Sequence, residues 1–186
     1  ERFRSTVSLF ADHIRVGHDV GASLALSLDG DMVLDIWAGH QDESGQVPWR
    51  EDTLINVYSS TKTVDFLCAL VAADRGLIDF DAPVCDYWPE FSMNGKGGVM
   101  VWHLMNHAAG LPGLDRSVTL EEMCHWETIT GMLADQAPWW EPGSANGYHA
   151  MTQGYLIGEV VRRATGVSLG RFLREEIAEP LNADFY

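Results

Sequence analysis

Ser59 and Lys62 form a Ser-x-x-Lys pair, and an apolar run (Val64, Phe66, Leu67, Leu70, Val71) follows directly. Three residues apart on a helix, the hydroxyl and the amine share one face, a turn apart. A serine in the first turn of a buried helix keeps its backbone N–H free for an oxyanion, with the positive end of the helix dipole behind it. A lysine set among apolar side chains loses proton affinity and can take the serine's proton. The chemistry this pattern suits is covalent acyl transfer. The pair alone is a weak signal: with 11 serines and 2 lysines in 186 residues, chance places about 0.12 such pairs. The scarcity of lysine strengthens it. The chain carries 10 arginines against 2 lysines, and one of those lysines falls in an apolar helix, where its charge is costly unless paired or used. A lysine that snorkels to solvent from an amphipathic helix gives the same pattern.

Other motifs compete for attention. Gly166-Val167-Ser168-Leu169-Gly170 has the spacing of a nucleophile elbow, which needs a strand before it and a helix after it. Helical periodicity stands on both sides here, so Ser168 reads as an N-cap. His103 and His107 lie four apart, but Leu104 stands where a metalloprotease helix carries glutamate. Cys124-His125 with Glu127 has no metal-like spacing. Nothing in the sequence demands a metal or a cofactor. The acidic residues Glu175, Glu176 and Glu179 read as a solvated face.

The elements that must position Ser59 and Lys62 follow from periodicity. Residues 4–15 predict an amphipathic helix with Val7, Phe10, Ala11 and Ile14 on one face. Residues 22–28 and 32–38 alternate apolar and polar side chains, and Asp29-Gly30-Asp31 between them signals a hairpin. The Ser59 helix extends to about Asp74 and ends at Gly76. Residues 92–98 predict a flexible loop, and Val99–His107 a short helix. Thr119 opens a helix with Glu121 and Glu122 in its first turn. Residues 148–165 predict an apolar helix ended by Gly166, and a last helix runs from Ser168 to about Ala178. Two strands form a hairpin at most, which is marginal without further strands or helical cover, so the chain reads as a piece of a larger fold.

Composition narrows the function. A hydrophobic content of 46% with seven tryptophans excludes disorder. A net charge of −15 repels nucleic acid and anionic membrane, so neither is expected as a partner. No run of 18 apolar residues suggests a membrane span. Cys68, Cys85 and Cys124 are odd in number and widely spaced, which favours reduced thiols in a cytosolic protein. The chain begins at Glu1 rather than Met, so leading residues are expected to be missing.

The stretches VGASLALSLDGDMVLDIWAG, INVYSSTKTV, DRGLIDFDAPVCDYWPEF, VWHLMNHAAGLP and NGYHAMTQGYLIGEVVRRATG resemble the serine β-lactamase-like hydrolases. That group holds class C β-lactamases, D-alanyl-D-alanine peptidases and family VIII carboxylesterases. The resemblance covers nearly the whole chain. It implies an α/β (α+β) fold, an antiparallel sheet flanked by helices plus a helical region, with the groove between them as the active site. It implies Ser59 as nucleophile, Lys62 as its partner and Tyr148, 89 residues after Ser59, as general base or acid. Read from the residues alone, Tyr148 would equally be a core or surface tyrosine.

Two departures matter. The class C pattern is Tyr-x-Asn, and here Tyr148-His149-Ala150 lacks the amide, which points away from a β-lactamase and toward an esterase. His149 would line the cleft or lie on the surface. The family's third motif, a strand with His, Lys or Trp before x-Gly, does not follow Tyr148. Residues 1–186 are therefore expected to be an incomplete hydrolase domain: 1–75 the N-terminal helix, two strands and nucleophile helix, and 76–186 the helical region. This piece alone is expected to be inactive. The expected function is hydrolysis of small carboxylic esters through an acyl-enzyme on Ser59. The alternatives are a β-lactamase or D-amino-acid peptidase, and a non-catalytic penicillin-sensing module.

Overall fold

A computed structural model describes residues 2–185, which divide into two compact units that part between Asn56 and Val57.

In the first unit, α1 (Arg4–Val16) ends at Gly17, whose left-handed backbone returns its N–H to the carbonyls of His13 and Ile14. β1 (Gly21–Leu28) and β2 (Asp31–Gly39) pair antiparallel from Gly21 opposite Gly39 to Leu28 opposite Asp31, with a bulge beside Leu26 and Ser27. Asp29 and Gly30 both have positive φ (53° and 90°). A two-residue hairpin turn of the right twist needs that, and glycine adopts it freely. Val7 and Ala11 of α1 meet Val33 and Leu34 of β2 around a shallow hollow. Among the described residues these two strands form the only sheet.

The second unit is helical and holds nearly all of the core. Its central pair is α2 (Thr61–Asp74) and α6 (Thr152–Thr165). Around them lie α3 (Val101–Met105), α4 (Leu120–Met123), α5 (Trp126–Asp135) and α7 (Leu169–Leu173). A π-helical turn (Arg174–Ala178) and α8 (Glu179–Leu181) follow. Small residues of α2 (Cys68, Ala69, Ala72) allow close approach to Leu156, Ile157, Val160 and Val161 of α6. Each large aliphatic side chain so buried contributes about 1.5–3 kcal/mol. The buried stripe of α2 thus differs from the expected one, because Leu67 and Leu70 stay exposed. α2 groups with the helical region, in the unit that begins at residue 57.

Other segments refine the sequence expectations. The predicted helix at Thr119 is two: Thr119 caps α4 in a reciprocal box with Glu122, and the chain turns at Cys124 before α5 begins. Ser168 caps α7, its Oγ accepting the Arg171 N–H at 3.3 Å. The loop 92–98, expected to be flexible, is pinned. Lys96 is fully buried, lies 5.3 Å from the Phe91 ring centroid and donates to the carbonyls of Met93 (2.9 Å) and Gln136. On α6, Glu159 is also buried. It accepts from Trp126 Nε1, from Arg162 and from Arg163, each at 2.7 Å. Burial alone would raise its pKa, but these donors outweigh it and hold the carboxyl at about 2.

Candidate active site

Ser59 lies not in the first turn of α2 but two residues before it, in a short 3₁₀ segment (Tyr58–Ser60) that leads into the helix. Tyr58 enters it with φ of 47°, a left-handed conformation that side chains other than glycine rarely adopt. Ser59 is exposed and Lys62, in the first turn of α2, is half-buried. Lys62 is therefore not sunk among apolar side chains. Its Nζ donates to the Ala150 carbonyl at 2.7 Å and lies 5.2 Å from the Tyr148 ring centroid.

Tyr148 is not on α6, which begins only at Thr152. It stands in the loop before that helix, 54% exposed, and its hydroxyl donates to Ser59 Oγ at 2.6 Å. Chain folding thus brings together the three residues singled out in the sequence. In the ionised form the phenolate accepts from the Ser59 hydroxyl instead, and that bond, followed by the nearby Lys62 ammonium, lowers the Tyr148 pKa from its ordinary value against the burial that raises it.

The loop is held in place from several sides. A Cβ at Gly147 would run into the ring of Trp140, so only glycine permits that approach. The Ala150 N–H bonds to the Tyr148 carbonyl at 3.0 Å, turning the Ala150 carbonyl to Lys62. His149 neither lines a cleft nor lies on the surface; it is fully buried. Its Nε2 accepts the Leu111 N–H at 3.0 Å and its Nδ1–H donates to the Gly147 carbonyl at 2.5 Å. That pairing requires the neutral ring, and burial lowers its pKa in the same sense.

Two further residues lie near the site. Asp65 lies one turn beyond Lys62 on α2; burial raises its pKa and the Lys62 charge opposes that rise. In the sequence His107 stands out only through its spacing from His103. In the structure the pair separates in role. His103 is buried, its Nδ1 accepting the Met100 N–H at 2.9 Å, whereas the His107 ring meets the Tyr148 ring edge-on, centroids 5.0 Å apart. The available signal was its place at the last position of a short predicted helix. Among the described residues no group of three or more His, Cys, Asp or Glu is arranged to hold a metal. Trp139 is exposed, with its indole N–H on Asp115 at 2.7 Å, and Trp140 packs beneath the Tyr148 loop.

The model of the beta-lactamase family matches residues 10–184. The chain belongs to the beta-lactamase family. It is 40% identical to the esterase/beta-lactamase LipL of Mycobacterium tuberculosis over 98% of this chain and 42% of that protein. Among solved structures it resembles a family VIII carboxylesterase (TM-score 0.91, 45% identity, 96% of this chain and 49% of the other). It also resembles a penicillin-binding protein homologue from Caulobacter crescentus (TM-score 0.93, 38% identity, 98% and 49%). The fold is that of this family, and the chain spans about half the length of the relatives it matches. Among the described residues no helix is long and apolar enough to cross a membrane.

Proposed function

We propose that the full-length protein is a serine hydrolase that cleaves small carboxylic esters through an acyl-enzyme on Ser59. The observation that carries this reading is the 2.6 Å contact between Tyr148 and Ser59 beside Lys62. Tyr148 takes the Ser59 proton, its phenolate favoured by the Lys62 ammonium, and Oγ attacks the ester carbonyl. The Ser59 N–H, at the opening of α2, donates to the oxyanion, and the helix dipole adds to that stabilisation. Tyr148 then protonates the departing alkoxide, and in the second half it activates the water that releases the acid. Lys62 holds the Tyr148 loop through the Ala150 carbonyl.

Ala150 supports esters over β-lactams. Where the class C pattern places an amide, this chain offers a methyl group and a carbonyl already taken by Lys62. A site lacking that donor loses the preference it would give an amide-bearing substrate. The free thiols Cys68, Cys85 and Cys124 support a reducing compartment, and the cytosol is the proposed location. The test compares kcat/KM for p-nitrophenyl butyrate and a chromogenic cephalosporin in the full-length protein, with Ser59→Ala as control. The expected result is a higher value for the ester and no turnover by Ser59→Ala. A higher value for the cephalosporin reverses the substrate assignment, and an active Ser59→Ala removes the nucleophile.

A further inference from the structure

We propose that His107 is a positioning residue for Tyr148, clamping residues 147–149 so that the Tyr148 hydroxyl stays on Ser59. The inference rests on the reading of Ser59 and Tyr148 given above.

The first observation is where His107 stands. α3 ends at Met105, Asn106 follows, and His107 has φ of 64°. The Ala108 N–H closes the helix end on the His103 carbonyl at 2.8 Å. A left-handed residue just past a helix is by default glycine, or asparagine, because a Cβ there crowds the backbone. A histidine occupies this position at some steric cost, and its side chain offers contacts that glycine lacks.

The second observation is what the side chain reaches. His107 Nδ1 accepts the His149 N–H at 3.2 Å, and the His107 carbonyl accepts the Gly147 N–H at 3.1 Å. These bonds flank Tyr148 on both sides along the chain, and the edge-on ring contact falls on Tyr148 itself. The neighbouring residues extend the same seam. Asn146 Nδ2 donates to the Asn106 carbonyl at 2.7 Å, and the Gly143 N–H to the Ala108 carbonyl at 2.9 Å. Tyr148 precedes α6 and has no helical ladder to hold it, so its aim depends on this seam. Accepting at Nδ1 also places the ring proton on Nε2 and requires the neutral imidazole. Burial, and then the Lys62 charge, favour that form.

The test uses three variants of the full-length protein. His107→Asn keeps a residue that tolerates the left-handed backbone and offers an amide oxygen for the His149 N–H. His107→Gly relieves the backbone but removes the acceptor and the ring. His107→Ala keeps the strain and removes both. The expected result is a kcat lowered about 10–10²-fold in the Gly and Ala variants, as a small misplacement of a reacting group produces. KM should stay within about threefold, and His107→Asn should recover most of kcat, because a lost transition-state contact shows in kcat. NMR titration of Tyr148 gives a readout independent of turnover. Its pKa should rise toward the ordinary tyrosine value in His107→Gly and stay lowered in His107→Asn. Wild-type kcat and an unmoved Tyr148 titration in His107→Gly would overturn the proposal, as would a loss confined to KM. Fluorophosphonate labelling separates the two readings. If the wild type is not labelled at Ser59 while the Tyr148 titration still moves with His107→Gly, the catalytic reading fails and the positioning role stands. If Ser59 is labelled and neither kcat nor the titration responds, the positioning role fails alone.

Discussion

The two lysines of this chain occupy opposite situations. Lys96 is fully buried against Phe91, holds two backbone carbonyls, and has a pKa lowered by that burial with only Asp135 opposing it. Lys62 is half-buried, holds one carbonyl, and lies beside a tyrosine whose hydroxyl meets a serine. If burial alone marked a reactive lysine, Lys96 would be the candidate. It faces no hydroxyl nucleophile, and both its carbonyl partners belong to loop and helix ends that it ties together. The lesson is that desolvation makes a lysine unusual, whereas its neighbours determine what the unusual lysine is for. Lys96 is a tie between segments; Lys62 stands beside the contact between Tyr148 and Ser59.

Removing each lysine in turn separates its effect on activity from its effect on stability. In the full-length protein, Lys62→Ala should lower kcat by about 10²–10³-fold, the range for losing a group that acts on developing charge, with little change in Tm. Lys62→Arg should fall within about tenfold of that loss. Arginine keeps the charge, but its longer, planar head does not reproduce a single ammonium 2.7 Å from the Ala150 carbonyl. If Lys62→Arg keeps near wild-type kcat, a positive charge anywhere nearby suffices and the comparison loses its point.

Lys96→Met should produce the reverse pattern. It strands the carbonyls of Met93 and Gln136 in the interior, which costs about 1–3 kcal/mol in denaturant unfolding, while kcat per folded molecule stays at the wild-type value. A fall in kcat at unchanged stability would join Lys96 to the site and erase the distinction.

The smallest effect is in the pH dependence of that stability. A lysine whose folded pKa lies below its unfolded value of 10.5 binds fewer protons folded than unfolded across the window between the two. Stability therefore gains a rising contribution as pH climbs through that window. The difference in unfolding free energy between wild type and Lys96→Met should widen as pH rises toward the ordinary lysine value. A constant difference would mean that the Lys96 ammonium is as well solvated by its carbonyls as by water.

Much of this was legible in the sequence, for local reasons. The Asp29-Gly30 hairpin, the end of α1, the Thr119 and Ser168 caps and the span of α2 each follow from residues within a few positions of one another, whose turn and capping chemistry acts without tertiary help. The Ser-x-x-Lys pair was visible for the same reason. Tyr148 was reached through the resemblance of its surrounding motif, since nothing local distinguishes it from a surface tyrosine. What the local code left open was decided by contacts between distant segments. The burial of Lys96 depends on loop 92–98 meeting the end of α5, some forty positions later. The half-exposed setting of Lys62 depends on which face of α2 lies against α6, and small residues rather than leucines made that face. The neutral, buried His149 and the clamp at His107 exist only because residues 106–108 and 143–149 lie side by side. The sequence alone determined the chemistry on offer and the elements that carry it, because periodicity and capping are short-range. Only the tertiary structure decided which groups share a site, because hydrogen bonds and burial act between neighbours in space, whatever their separation along the chain.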